Sequence, residues 1–135
     1  MLKLSKKTEY AFMAARHLAL NNSGHYSTAK EIADNYRIPY QLVAKVLQNF
    51  TKCEIVTSFQ GAKGGYKLNK SPDNISLIEI IKAVESNYQL TECMQEDSSK
   101  SDCSHLDCCK IRDPLIEIQR KIDNIFVQTS LTQIL

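Results

Sequence analysis

A mainly α-helical chain with a small β-hairpin is what the 135-residue sequence predicts, and three observations predict it. Apolar residues recur at three- and four-residue spacing in three short segments before residue 54. Three of the four glycines fall between two β-branched or aromatic runs at 55–68. A long apolar seam closes the chain at 111–129. With 43% hydrophobic residues the chain can bury a core as one compact unit, and it contains no apolar run near the roughly 20 residues that span a bilayer.

The first helix is expected over 8–21. Tyr10, Met13, Ala14, His17 and Leu18 would form its stripe and Thr8 its N-cap, and Asn21-Asn22-Ser23-Gly24 would stop it. Thr28 and Glu31 have capping-box spacing at the head of a second helix, whose apolar side is Ile32, Ala33 and Tyr36. Pro39 suits the first turn of a third, because its missing N–H would be unpaired there. Leu42, Val43, Val46, Leu47 and Phe50 mark a buried stripe running to about Cys53, itself expected to be a buried structural thiol. Ile55–Phe59 and Tyr66–Leu68 then flank a Gly-rich, basic turn, as in a hairpin. Three short helices followed by a hairpin compose a winged helix-turn-helix head, residues 1–70, with the third helix as its recognition helix.

Ser71-Pro72-Asp73-Asn74 punctuates the chain. Ser76 and Glu79 form a second capping box, opening a helix through Ile78, Ile81 and Val84. Residues 91–110 are polar, acidic and cysteine-rich, without helical or strand period, so a loop is expected there. After Pro114 a long helix is predicted to about Gln128. Ile111, Leu115, Ile118, Ile122, Ile125 and Thr129 alternate spacings of four and three along it, a seam suited to pairing with a second copy. Residues 71–135 therefore read as a sensor loop plus a dimerisation helix.

Charge separates the two parts. Residues 1–70 hold eleven Lys or Arg against four acids, whereas 71–135 hold six against eleven. A head at +7 suits a polyanion, and a tail at −5 does not compete for it. In a helix-turn-helix the second helix enters the major groove, and its polar face here would offer Tyr40, Gln41, Lys45 and Gln48 to base edges. Ser58, Gln60, Lys63 and Lys67 on the wing would meet phosphates or the minor groove, and Lys3, Lys6 and Lys7 the backbone. Four of the five cysteines, Cys93, Cys103, Cys108 and Cys109, share one 17-residue window. Converging thiolates from a flexible loop bind soft metals or do redox chemistry, and no CxxC pair is present to specify zinc. No nucleophile–base constellation or phosphate-binding loop points to an enzyme; Lys63-Gly64-Gly65 lies between strands rather than at a helix start.

The opening Leu4-Ser5-Lys6-Lys7-Thr8-Glu9-Tyr10-Ala11 and the wing Gly61-Ala62-Lys63-Gly64-Gly65-Tyr66-Lys67-Leu68 resemble the Rrf-type winged-helix regulators, and the cysteine loop resembles their iron–sulfur branch. The likeness extends through Ile75–Ile81 to Thr129-Ser130-Leu131. It implies a homodimer joined through residues 111–129, while the lack of a bilayer-length apolar run and of a continuous apolar stretch in MLKLSKKTEYAF leads to the expectation of a cytoplasmic protein with no membrane association. It implies a double-stranded DNA operator as ligand and one iron–sulfur cluster per subunit, 2Fe-2S or 4Fe-4S. Operator affinity would follow redox state, nitric oxide or cluster status. Carried over by position, the thiolate ligands would be Cys93, Cys103 and Cys109, with Cys108 extra. Arg112 stands where part of the branch has a ligating histidine, and arginine cannot ligate. The resemblance then favours Glu9 of the partner subunit as fourth ligand, with His105 as the alternative. Gln60 replaces the usual wing arginine and Ala44 an acidic residue of the recognition helix. A structural zinc, or a metal-free thiol switch using Cys108 or Cys109 beside His105, are the competing uses of the loop.

Overall fold

The computed structural model describes residues 3–21, 24–91 and 110–135. Five helices and one hairpin follow in order: α1 (Lys6–Leu20), α2 (Ala29–Tyr36), α3 (Tyr40–Lys52), β1 (Val56–Phe59), β2 (Gly65–Leu68), α4 (Leu77–Val84) and α5 (Arg112–Gln128), with 3₁₀ turns at Pro72–Asn74 and Leu131–Ile134.

Helix α1 begins two residues earlier than its apolar spacing suggests. Its N-cap is Ser5, whose hydroxyl accepts the Thr8 N–H at 3.2 Å, so Thr8 lies inside the helix rather than capping it. The buried stripe is Ala11, Ala14, Ala15, His17 and Leu18, while Met13 is exposed. Small alanines let α3 and α4 pack close against it. Thr28 caps α2 through the Glu31 N–H, but the Glu31 carboxylate faces His25 at 3.8 Å rather than completing a capping box. Pro39 is the N-cap of α3, one position before the first turn.

Helices α2 and α3 end alike. Arg37 (φ 53°) and Glu54 (φ 59°) adopt the left-handed conformation. Each is followed by a bond spanning five residues, Ile38 N–H to Ala33 O at 3.0 Å and Ile55 N–H to Phe50 O at 2.9 Å. The first of these closures is the tight turn between α2 and α3.

The wing is an antiparallel pair with Val56 opposite Leu68 and Ser58 opposite Tyr66. Tyr66 also bridges to Ser27, with N–H···O bonds of 2.8 and 3.1 Å, which docks the hairpin on the loop before α2. That docking requires glycine at 65. With φ 147°, a Cβ there would stand 2.7 Å from Ser27 O, and at Gly64 a Cβ would stand 2.3 Å from Phe59 O.

The Ser76–Glu79 capping box forms with both reciprocal bonds, and Lys70 adds an ion pair at 2.9 Å. Burial alone would raise the Glu79 carboxyl, yet the Ser76 backbone and hydroxyl together with Lys70 hold it below 4.5. The C-terminus returns to the head: Leu131 N–H bonds Ile75 O at 2.8 Å, Leu77 N–H bonds Thr129 O at 2.9 Å, and Leu131 is fully buried. One core thus runs from Ala11 through Phe50 and Ile80 to Leu131.

Helix α5 starts at Arg112, so Pro114 is its third residue rather than a preceding stop. Its seam divides. Leu115 and Ile122 are half-buried and Phe126 packs on the core, whereas Ile118 (45%) and Ile125 (63%) stand exposed with Ile111 and Val127. No helix among the described residues is long and apolar enough to cross a membrane.

Candidate nucleic-acid interface

Helix α3 sorts its side chains sharply. Val43, Val46, Leu47 and Phe50 are at most 2% exposed and anchor one face against α1, α2 and α4. Tyr40, Gln41, Lys45 and Gln48 project from the other side, all exposed, so the four recognition-helix residues read from sequence share one accessible surface. Leu42 departs from expectation: it is 46% exposed instead of inward. The buried residues span about 100° of the helix, and position 42 lies about 40° beyond that arc at 100° per residue. An accessible leucine beside Gln41 can meet a thymine methyl, which hydrogen-bonding residue types would not suggest.

The wing supplies the second surface. Ser58, Gln60 and Lys63 are exposed and Lys67 is half-buried, with Thr57 facing Lys67 across the ladder. Tyr26 packs against Phe59 at the turn end of β1, ring centroids 4.3 Å apart and planes tilted by 41°. Lys3, Lys6 and Lys7 are exposed at the start of α1. Lys6 lies 2.9 Å from Glu9, and that hydrogen bond, with the attraction of the carboxylate, raises its pKa above 10.5.

The proposed ligand set divides differently. Cys93, Cys103, Cys108, Cys109 and His105 lie outside the described residues. Glu9 lies in the first turn of α1, its side chain 41% exposed and engaged only in the surface ion pair with Lys6, so it can be drawn to another partner. Cys53 is free and exposed at the end of α3, not the buried thiol its apolar neighbours suggest, because the left-handed turn at Glu54 ends the helix there. Among the described residues no three His, Cys, Asp or Glu side chains converge as a metal site.

The donor chemistry fits a cluster nonetheless. Three thiolates are soft donors suited to an iron–sulfur cluster and a carboxylate adds one harder oxygen donor, and the Arg112 Nε, just past the window, is buried without an acceptor among the described residues. Anionic sulfur nearby would provide one. The segment leading into the window forms one wall of a cleft of about 320 Å³. Lys3, Ser5 and Thr8 of the α1 start, Glu85, Gln89 and Leu90 line it, and Glu9 does not.

Comparison with known proteins agrees with this geometry. The Rrf2 model, described as an iron-dependent transcriptional regulator, matches residues 4–135. The NsrR transcriptional regulator of Shouchella clausii is 30% identical over 116 residues, covering 86% of this chain and 76% of that protein. NsrR of Bacillus licheniformis is 31% identical over 111 residues, covering 82% and 76%. Two solved structures share the fold. CymR, the global cysteine regulator of B. subtilis, has a TM-score of 0.73 at 24% identity, covering 99% of this chain and 96% of its own. IscR of T. potens has 0.72 at 23%, covering 98% and 85%. These relatives are regulators rather than enzymes. The chain belongs to the Rrf2 family of winged-helix, DNA-binding transcriptional regulators.

Proposed function

We propose that this chain works in the cytoplasm as a homodimer whose operator affinity is set by an iron–sulfur cluster. Cys93, Cys103 and Cys109 hold the cluster, and Glu9 of the partner subunit completes it. Residues 1–70 read duplex DNA through Tyr40, Gln41, Lys45, Gln48 and the wing residues Ser58, Gln60, Lys63 and Lys67. Residues 71–135 sense and dimerise. The observation that carries this reading is the placement of Glu9: half-buried with its side chain 41% exposed, held by one surface lysine, and not among the residues lining its own subunit's cleft, it is available to a second copy. The family's description as an iron-dependent transcriptional regulator, with the similarity to NsrR regulators, supports an iron-bearing regulator. The exposed Ile118 and Ile125 support pairing of α5 with its copy. When bound, the cluster would supply a redox- and nitric-oxide-reactive iron centre. The chain's own contribution is to fix the spacing of two recognition helices through ligands drawn from both subunits.

Anaerobic reconstitution with iron and sulfide, followed by visible absorption and metal assays, tests this. The expected result is a coloured protein with one cluster per chain, and an altered, more labile spectrum in Glu9→Ala. Stoichiometric zinc in a colourless protein would replace the cluster with a structural metal. A metal-free protein whose affinity follows thiol oxidation would leave Cys108 or Cys109 as a switch.

A further inference from the structure

The segment that leads into the cysteine window is fastened at both ends by polar contacts. Glu85 caps the C-terminus of α4, and its Oε1 accepts from the Ser5 hydroxyl and from the Thr8 hydroxyl, the latter at 2.8 Å. Ser5 is at the same time the N-cap of α1, and Thr8 is 1% exposed. The end of α4 and the start of α1 are therefore joined through one carboxylate. At the other end the Leu90 N–H donates to Gln119 Oε1 at 2.7 Å, and Gln119 Nε2 donates to Asp123 Oδ1 at 2.9 Å. Gln119 is 7% exposed and is the one buried residue of α5 among those described. A polar side chain in that position is costly to bury unless its bonds are made.

Leu90 is three residues from Cys93, so the strap 85–90 connects the first thiolate to two helices. Through Gln119 it holds α5. Through Glu85 it holds the start of α1, a helix that packs on α3. We infer that Gln119 and Glu85 are positioning residues that transmit ligation at Cys93 to the recognition helix, Gln119 by tying the strap to α5 and Glu85 by tying it to α1. The inference rests on the cluster reading above and adds the path by which it reaches DNA. A strap fixed at both ends transfers a displacement at Cys93 to both helices, whereas one released at Leu90 absorbs it.

The test compares loaded and cluster-stripped protein on one duplex, enriched by this protein from a random-sequence library, with wild type, Gln119→Leu, Glu85→Ala and Glu85→Gln. Leucine keeps the buried volume and removes both bonds, and glutamine at 85 keeps an acceptor for the two hydroxyls. Gln119→Leu should take up the cluster with wild-type absorbance, yet its ratio of loaded to stripped affinity should fall at least threefold toward one. Glu85→Ala should do the same and Glu85→Gln should restore the ratio. In stripped protein, hydrogen exchange at the Leu90 amide should quicken at least tenfold in Gln119→Leu, a readout independent of the cluster. A loaded Gln119→Leu with the wild-type ratio, or a Leu90 amide that exchanges equally in both, overturns this inference alone. If Gln119→Leu does not fold, equal ratios for Glu85→Ala and Glu85→Gln overturn it. Wild-type protein that takes up no cluster overturns both this inference and the reading beneath it.

Discussion

Helices α3 and α5 are both amphipathic, of 13 and 17 residues, yet they spend their apolar residues differently. Helix α3 sinks Val43, Val46, Leu47 and Phe50 into its own chain and keeps a polar face outward. Helix α5 buries a glutamine and leaves Ile118, Ile125 and Val127 in solvent, along with its N-cap Ile111. A recognition helix must be held rigidly by the subunit that carries it, because base readout tolerates little displacement. A helix with an apolar side left open is shaped for a surface outside its own subunit. The contrast separates a helix anchored within its own subunit from one that leaves apolar side chains accessible.

The largest expected effect breaks the α3 side of that contrast. Phe50→Ala, at a fully buried position, should cost about 3–5 kcal/mol in urea unfolding, a large share of the roughly 5–15 kcal/mol of an ordinary domain. On the α5 side, Ile118→Glu with Ile125→Glu should leave the circular dichroism unchanged and weaken self-association at least tenfold in sedimentation, about 1.4 kcal/mol or more. A smaller effect concerns pH. His17 is buried in α1 edge-on to Tyr36, and burial foremost lowers its pKa from 6.5, with Glu31 opposing and His25 reinforcing the shift. The unfolded chain then takes up the proton first, so His17's contribution is complete above pH 6.5 and is lost as pH falls from 6.5 toward its folded value. Thermal melts should show that decline, and His17→Gln should flatten it. The smallest effect is at Cys53, where Cys53→Ser should change stability by less than about 0.5 kcal/mol and leave the cluster spectrum untouched.

Much of the fold is legible in the residues because local and tertiary signals agree. The Gly64-Gly65 turn, the Ser76–Glu79 box and the α3 stripe each state their structure within a few positions. The departures share one cause, competition between local preferences and chain geometry. Ser5 and Thr8 are both good caps, and the bond that Glu85 makes with them from 77 or more residues away is not visible in local sequence. Leu42 and Cys53 fall at the edge and end of a stripe, where periodicity alone cannot tell inside from outside. The candidate site is less legible than the fold. Residue types mark the cysteine window and the family resemblance supplies Cys93, Cys103, Cys109 and Glu9, but Gln119 and Glu85 are ordinary polar residues until burial and bonding single them out.

The most direct measurement is an anaerobic titration of the library-enriched duplex with the loaded protein, repeated after the cluster is stripped. A cluster-controlled dimer predicts two chains per duplex in the tight-binding state and at least a tenfold difference in affinity between the two states, about 1.4 kcal/mol. Equal affinities, with the cluster shown spectroscopically to be present in one sample and absent from the other, would contradict the account.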